Sequence, residues 1–221
     1  MPAPSAASTP KTRQRDYGKP SLLRVGSFSV FILVRSMPRR PAAAMPVQGL
    51  YDALLSTMRS GKALGQSGRF TQLEPVIRRS FDIAAMARLS VGPTWASITE
   101  AQRQQLSESF GRYMSAIYAD RFDSYGGQKL EVTGEQPAPS GVIVKSQIIK
   151  ANGEPVKVDY VMRLSGDNWL ISDIYLDGAI SEVATRRSEF ATILKTEGID
   201  GLISALDRKA EVLVMSAART F

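Results

Sequence analysis

"GVIVKSQIIKANGEPVKVDYVMRLSGDNWLISDIYLDG", residues 141–178, alternates large apolar residues with polar ones and breaks only at Asn152-Gly153, Gly166-Asp167 and Asp177-Gly178. A period of two over 8 to 12 residues, interrupted by Asn-Gly between β-branched runs, is the pattern of antiparallel hairpins. Val156, Val158, Tyr160, Met162 and Leu164 fall on one face of the middle run, and Lys157, Asp159 and Arg163 on the other. One face of the sheet is therefore expected to be covered and the other wet. "KLEVTGE", residues 129–135, supplies a further strand before it, giving four in all. In the last strand, alternation puts Trp169, Ile171, Asp173, Tyr175 and Asp177 on one face and Leu170, Ile174 and Leu176 on the other. Gly178 is expected to let the chain turn directly into a helix.

On both sides of this block the period changes to that of a helix. Val47, Leu50, Leu54 and Met58 recur at spacings of 3, 4 and 4, the apolar stripe of a first amphipathic helix. Gly61 to Gly68 reads as a loop because of its glycines, and two short helices follow, interrupted near Pro75 and Ser80. Thr99 with Gln102 is a capping-box pair that opens a long helix over about 100–124. Its apolar face holds Leu106, Phe110, Tyr113, Met114, Ile117 and Tyr118, and Gly126-Gly127 ends it. After the strands, "SEVATRRSEFATILK" and "GIDGLISALDRKAEVL" are two helices divided at Gly198. The fold class is α+β: a curved antiparallel four-stranded sheet, an NTF2-like cone, packed against about six helices, with an apolar pocket between the layers.

Composition limits the chemistry. The 221 residues contain no cysteine and no histidine, which removes thiolate chemistry, the commonest zinc ligands and the commonest neutral-pH acid/base. The net charge of +7 suggests an anionic polymer as partner until its position is considered. Residues 1–44 hold Lys11, Arg13, Arg15, Lys19, Arg24, Arg35, Arg39 and Arg40 against Asp16 alone, and the remaining residues balance at 20 basic and 20 acidic. A nucleic-acid interface on the folded part loses its support. The leader carries an apolar run, Val25 to Val34, behind Arg24 and ahead of the small residues Pro41 to Pro46. That is the length of a signal-peptide core and too short to span a bilayer. Residues 1–44 are accordingly expected to be an export signal, a disordered leader or both, and 45–221 a single domain.

Several landmarks in order resemble one known family. "FDIAAMA" at 81–87, then Trp95, Gln102, Phe110 and Tyr118, "VKVDYVM" at 156–162, "WLISDIYLDG" at 169–178 and "RRSEF" at 186–190 are similar to the MlaC-type proteins, also described as toluene-tolerance auxiliary proteins, over about residues 47–214. After Gly178, Ala179-Ile180 stand where phospholipid carriers of that family usually read Val-Ser. This makes the stretch look closest to the hopanoid-associated HpnM branch. The resemblance implies a periplasmic, non-enzymatic carrier without a cofactor. Such a carrier holds phospholipid or hopanoid tails between sheet and helices and shuttles them between inner- and outer-membrane lipid-transport complexes. On that reading the residues lining the pocket are Phe110, Met114, Tyr118, Val144, Val158, Tyr160, Met162 and Ile174, with no metal and no nucleic acid. Burial of a tail stabilises a complex by about 0.8 kcal/mol per methylene, so such a protein needs an apolar lining and no base. Two other function classes stay open. One is a small NTF2-like enzyme using Asp159 and Asp173, carboxylates in the middle of the predicted strands; the other is a partner-binding scaffold without ligand. Against the enzyme stands a structural role for Asp173 as an anchor for Arg186 or Arg187.

Overall fold

A computed structural model describes residues 42–215; the apolar run Val25 to Val34 and the rest of the leader lie outside them. The elements are α1 (Ala44–Arg59), α2 (Gly61–Ser80), α3 (Ile83–Val91), α4 (Thr94–Ser97), α5 (Glu100–Arg121), β1 (Lys129–Ala138), β2 (Gly141–Ile149), β3 (Pro155–Ser165), β4 (Asn168–Leu176), β5 (Ile180–Ser181) and α6 (Glu182–Met215). The sheet is antiparallel throughout, with linear order β1-β2-β3-β4-β5. It is open, with β1 and β5 at its edges, and does not by itself close the expected cone.

The sheet has five strands where the sequence reading gave four. Asp177 and Gly178 both adopt positive φ, 50° and 73°, and Ala179 N donates to Leu176 O at 3.2 Å. Two left-handed residues in succession make the tight turn that returns a strand on itself. The chain therefore pairs Tyr175 with Ser181 before α6 begins.

β4 corrects the alternation as well. Val161 pairs with Asp173 but Met162 with Ile171, so Ser172 is an extra residue, a β-bulge. The bulge resets the phase, and Ile171 and Ile174 both turn to the buried face although they are three apart. With Val144, Val158, Tyr160 and Met162 they form the sheet's side of the core. On the wet face, Lys145 Nζ meets Asp159 Oδ2 at 2.6 Å.

The capping box of α5 is present as read, Thr99 Oγ1 accepting from Gln102 N and Gln102 Oε1 from Thr99 N. The helix ends at Arg121, with Phe122 as its cap, short of Ser124. Gly61 to Gly68 is helical except at Gly65 (φ 59°), and tertiary packing explains why the glycines fail to make a loop. A Cβ on Gly61 would stand 1.9 Å from Asp123 O, so only glycine lets α2 start against the end of α5. Arg69 then donates from Nε to Ala119 O (2.8 Å) and from Nη1 to Gly61 O (3.0 Å), and Gln66 donates to Ala116 O (3.3 Å). A buried cation thus satisfies carbonyls at the C-terminus of α5, where the helix dipole favours positive charge. Replacing Arg69 with Leu leaves those carbonyls buried and unpaired, and should lower unfolding free energy by about 2–4 kcal/mol, measurable in urea. α2 runs through Pro75 and stops at Phe81, which is extended, bridges Ile171 and hands over to Asp82, the N-cap of α3. Gly198 (φ 70°) divides α6 into two helical segments, as expected.

Candidate binding cavity

Between α5, the sheet and the first turns of α6 lies a cavity of about 180 Å³. α5 contributes Phe110, Met114, Ile117, Tyr118, Arg121 and Phe122. The spacing of 4, 3, 1, 3 and 1 keeps these on one side of the helix, the geometry that a 3.6-residue turn imposes. Facing them are Ile148 of β2, Val156, Val158 and Tyr160 of β3, and Ile174 and Leu176 of β4, with Met86 of α3 and Glu182 and Arg186 of α6 completing the wall. Its volume is below the roughly 300 Å³ where sites for drug-sized ligands begin, so a longer guest enters only as the walls give way. Met86 and Met114 are unbranched and suit such adjustment.

Of the eight positions expected to line the pocket, the structure brings together Phe110, Met114, Tyr118, Val158, Tyr160 and Ile174. Val144 and Met162 are fully buried in the core instead and reach no part of the cavity wall. Both lie on the correct face, paired with Tyr160 and with Val142 across β2 and β3. They sit farther along the sheet, where helices close over it. Ile148, Val156, Leu176 and Phe122 line the wall unanticipated, although the alternation of β3 already placed Val156 on the covered face.

Polar groups at and behind the cavity wall are tied down in two places. Ser146 Oγ donates to Val158 O, so the 2.6 Å bond between Tyr51 and Ser146 has the Tyr51 hydroxyl as donor. The Tyr160 ring meets the Tyr51 ring edge-on, with centroids 5.9 Å apart. The Tyr51 and Ser146 protons are both used in this buried chain. Arg186, only 7% exposed, donates to Glu182 at 2.5 Å, Glu189 at 2.7 Å and the Tyr113 hydroxyl at 3.4 Å. Its guanidinium also sits 5.4 Å from the Tyr113 ring centroid. Burial pulls its pKa down, but Glu182, Tyr113 and Glu189 outweigh this and hold it above the ordinary value. Glu182, the one carboxylate on the cavity wall, is therefore neutralised in place.

Burial pushes the phenols of Tyr51, Tyr118 and Tyr160 up from 10.0. A raised folded-state pKa leaves stability intact below the unfolded value and removes it as pH rises beyond. Spectrophotometric titration should show these three still protonated above pH 10.0, ionising only as the domain unfolds.

Asp159 and Asp173, the two strand carboxylates on which an enzyme reading would rely, lie outside the cavity wall. Asp159 pairs with Lys145. Asp173 does join strand to helix, but not through Arg186 or Arg187. Its Oδ1 accepts from Ile174 N (2.8 Å) and Val183 N (3.1 Å), and its Oδ2 from Ser181 Oγ (2.7 Å). The β5 turn brings the N-terminus of α6 back beside it, and backbone N–H groups there are better placed than a side chain a turn farther on.

Comparison with known proteins agrees with this architecture. Among solved structures, a phospholipid-binding protein from Ralstonia solanacearum, determined in complex with a phospholipid, superposes with a TM-score of 0.67. It is 24% identical, and the alignment covers 77% of this chain and 98% of that one; at this identity the likeness is one of fold. The family described as MlaC protein matches residues 48–208, from the first turn of α1 into the second segment of α6. A match over more than half of the sequence, through every strand and helix that builds the cavity, establishes that the chain belongs to the MlaC family.

Proposed function

We propose that this protein is a periplasmic lipid carrier that holds lipid tails in the cavity beneath α5 and passes them between inner- and outer-membrane complexes. The observation that supports this most is the cavity itself. Its wall is apolar side chains from both layers, and its charged members on α6 are already paired with each other. A site of that kind stabilises a methylene chain by about 0.8 kcal/mol for each group removed from water and has no free base to act on it. Among the described residues no helix is long and apolar enough to cross a membrane, in keeping with a carrier that moves between membranes. The apolar run at Val25 to Val34 would supply export.

Phospholipid and hopanoid tails both meet the requirement of the wall. The Ala179-Ile180 difference that points to the hopanoid branch lies at the exposed β4–β5 turn and the start of β5, and neither residue lines the cavity. The test is to purify the protein from its native host and identify the lipid in an organic extract by mass spectrometry. About one lipid per chain is expected; a folded protein that consistently yields none would overturn the proposal.

A further inference from the structure

α5 lines the cavity with a graded stripe. Phe110, Met114, Tyr118 and Arg121 follow at spacings of 4, 4 and 3, and about 16 Å of helix separates the first from the last. Exposure rises along it, from 1% at Phe110 and 7% at Met114 to half-buried Tyr118 and exposed Arg121. The opposite wall shows the same gradient: Val158 and Ile174 are buried, and Val156 and Leu176, toward the same end, are half-buried. The cavity is thus closed and apolar at one end and more exposed at the other, where Arg121 stands.

Two polar groups on this stripe make no hydrogen bond or ion pair among the described residues. The Tyr118 ring is fixed between Phe81 and Phe122, at centroid distances of 5.7 Å to each, yet its hydroxyl makes no hydrogen bond. Burial keeps that phenol protonated, so it is a donor. Arg121 has no ion pair, in contrast to Arg186 on the facing helix. The last turn of a helix favours a cation in any case, but that does not account for a guanidinium set on a cavity wall three residues from an unpaired phenol.

We infer, on the reading of this cavity as a lipid site, that Tyr118 and Arg121 form a recognition edge for an anionic acyl lipid. The tail points toward Phe110, an ester or acid oxygen accepts from the Tyr118 hydroxyl, and the oxyanion of the head meets Arg121. A neutral polycyclic hydrocarbon offers neither group an acceptor.

The test uses the delipidated full chain and two pairs of probes with matched tails: dioleoyl phosphatidylglycerol against dioleoylglycerol, and oleate against oleyl alcohol. Wild type should prefer the anion of the first pair by roughly three- to tenfold, the range of an ion pair at a partly exposed site. Arg121→Gln should erase that ratio. If it erases the ratio of the second pair instead, the recognised head is a carboxylate rather than a phosphate, and the edge stands. If it alters neither ratio, the inference is overturned. Tyr118→Phe should weaken the ester probes by about threefold, one neutral hydrogen bond; unchanged affinities would remove Tyr118 from the edge. Failure of wild type to bind any of the four probes would instead contradict the lipid site itself.

Discussion

Met162→Lys should unfold the domain or bring it close to unfolding, with a loss of about 3–5 kcal/mol, because it would place an ammonium at a fully buried position of the core. Met162 is fully buried, pairs with Val142 on one side and Ile171 on the other, and does not border the cavity. Such a loss is a large part of the 5–15 kcal/mol that about bounds the stability of a domain. Urea unfolding followed by circular dichroism measures it directly. A folded variant within about 1 kcal/mol of wild type would mean that the cavity extends to Met162, and that the sequence-based assignment of this residue to the binding wall was right.

Val158→Trp should have the opposite signature. Val158 lies two residues before Tyr160 on the same face of β3 and borders the cavity with it. A larger apolar side chain there has empty volume to occupy, so the unfolding transition should hold or rise by about 0.5–2 kcal/mol, as cavity-filling changes commonly do. Bound lipid should fall at least tenfold, since the indole takes the space of the tail. Stability and co-purified lipid measured on the same preparation separate the two effects. A variant that unfolds would show Val158 to be close-packed core, and one that keeps its lipid would put the tail elsewhere.

Most of the architecture was legible because the residues that build it act locally. Asn152-Gly153, the capping pair Thr99 and Gln102, and the spacing of Phe110, Met114 and Tyr118 each specify a turn, a helix start or a face without help from distant contacts. What escaped depends on distant partners. The bulge at Ser172 leaves no mark in "WLISDIYL", where almost every position is apolar enough to face either way; only pairing with β3 reveals that Ile171 and Ile174 share a face. Gly61 to Gly68 became helix because Arg69 and Gln66 reach carbonyls on α5, some 50 residues on. Asp177-Gly178 was seen as a break, but a fifth strand as short as Ile180–Ser181 has no periodicity to detect.

The site shows the same division. The apolar wall followed from face and period, so six of the eight expected residues meet around one space. The ends of that wall did not, because alternation fixes which way a side chain points and not how far along the sheet the helices close. That is why Met162 and Val144 sit in the core while Ile148 and Leu176 border the cavity. The i,i+4 and i,i+3 contacts of Arg186 with Glu182 and Glu189 were readable from spacing alone. Their consequence, a neutralised carboxylate on an apolar wall, required the fold.

Photo-crosslinking measures most directly whether lipid tails occupy the space between α5 and β3–β4. A phospholipid with a photoreactive group at the end of one acyl chain, loaded into the protein and irradiated, should attach to peptides containing Phe110, Met114, Val158 or Ile174, as read by tandem mass spectrometry. Attachment confined to the outer face of the sheet around Lys145 and Asp159, or to a separate surface groove lined by Met45, Arg78 and Trp169, would contradict it.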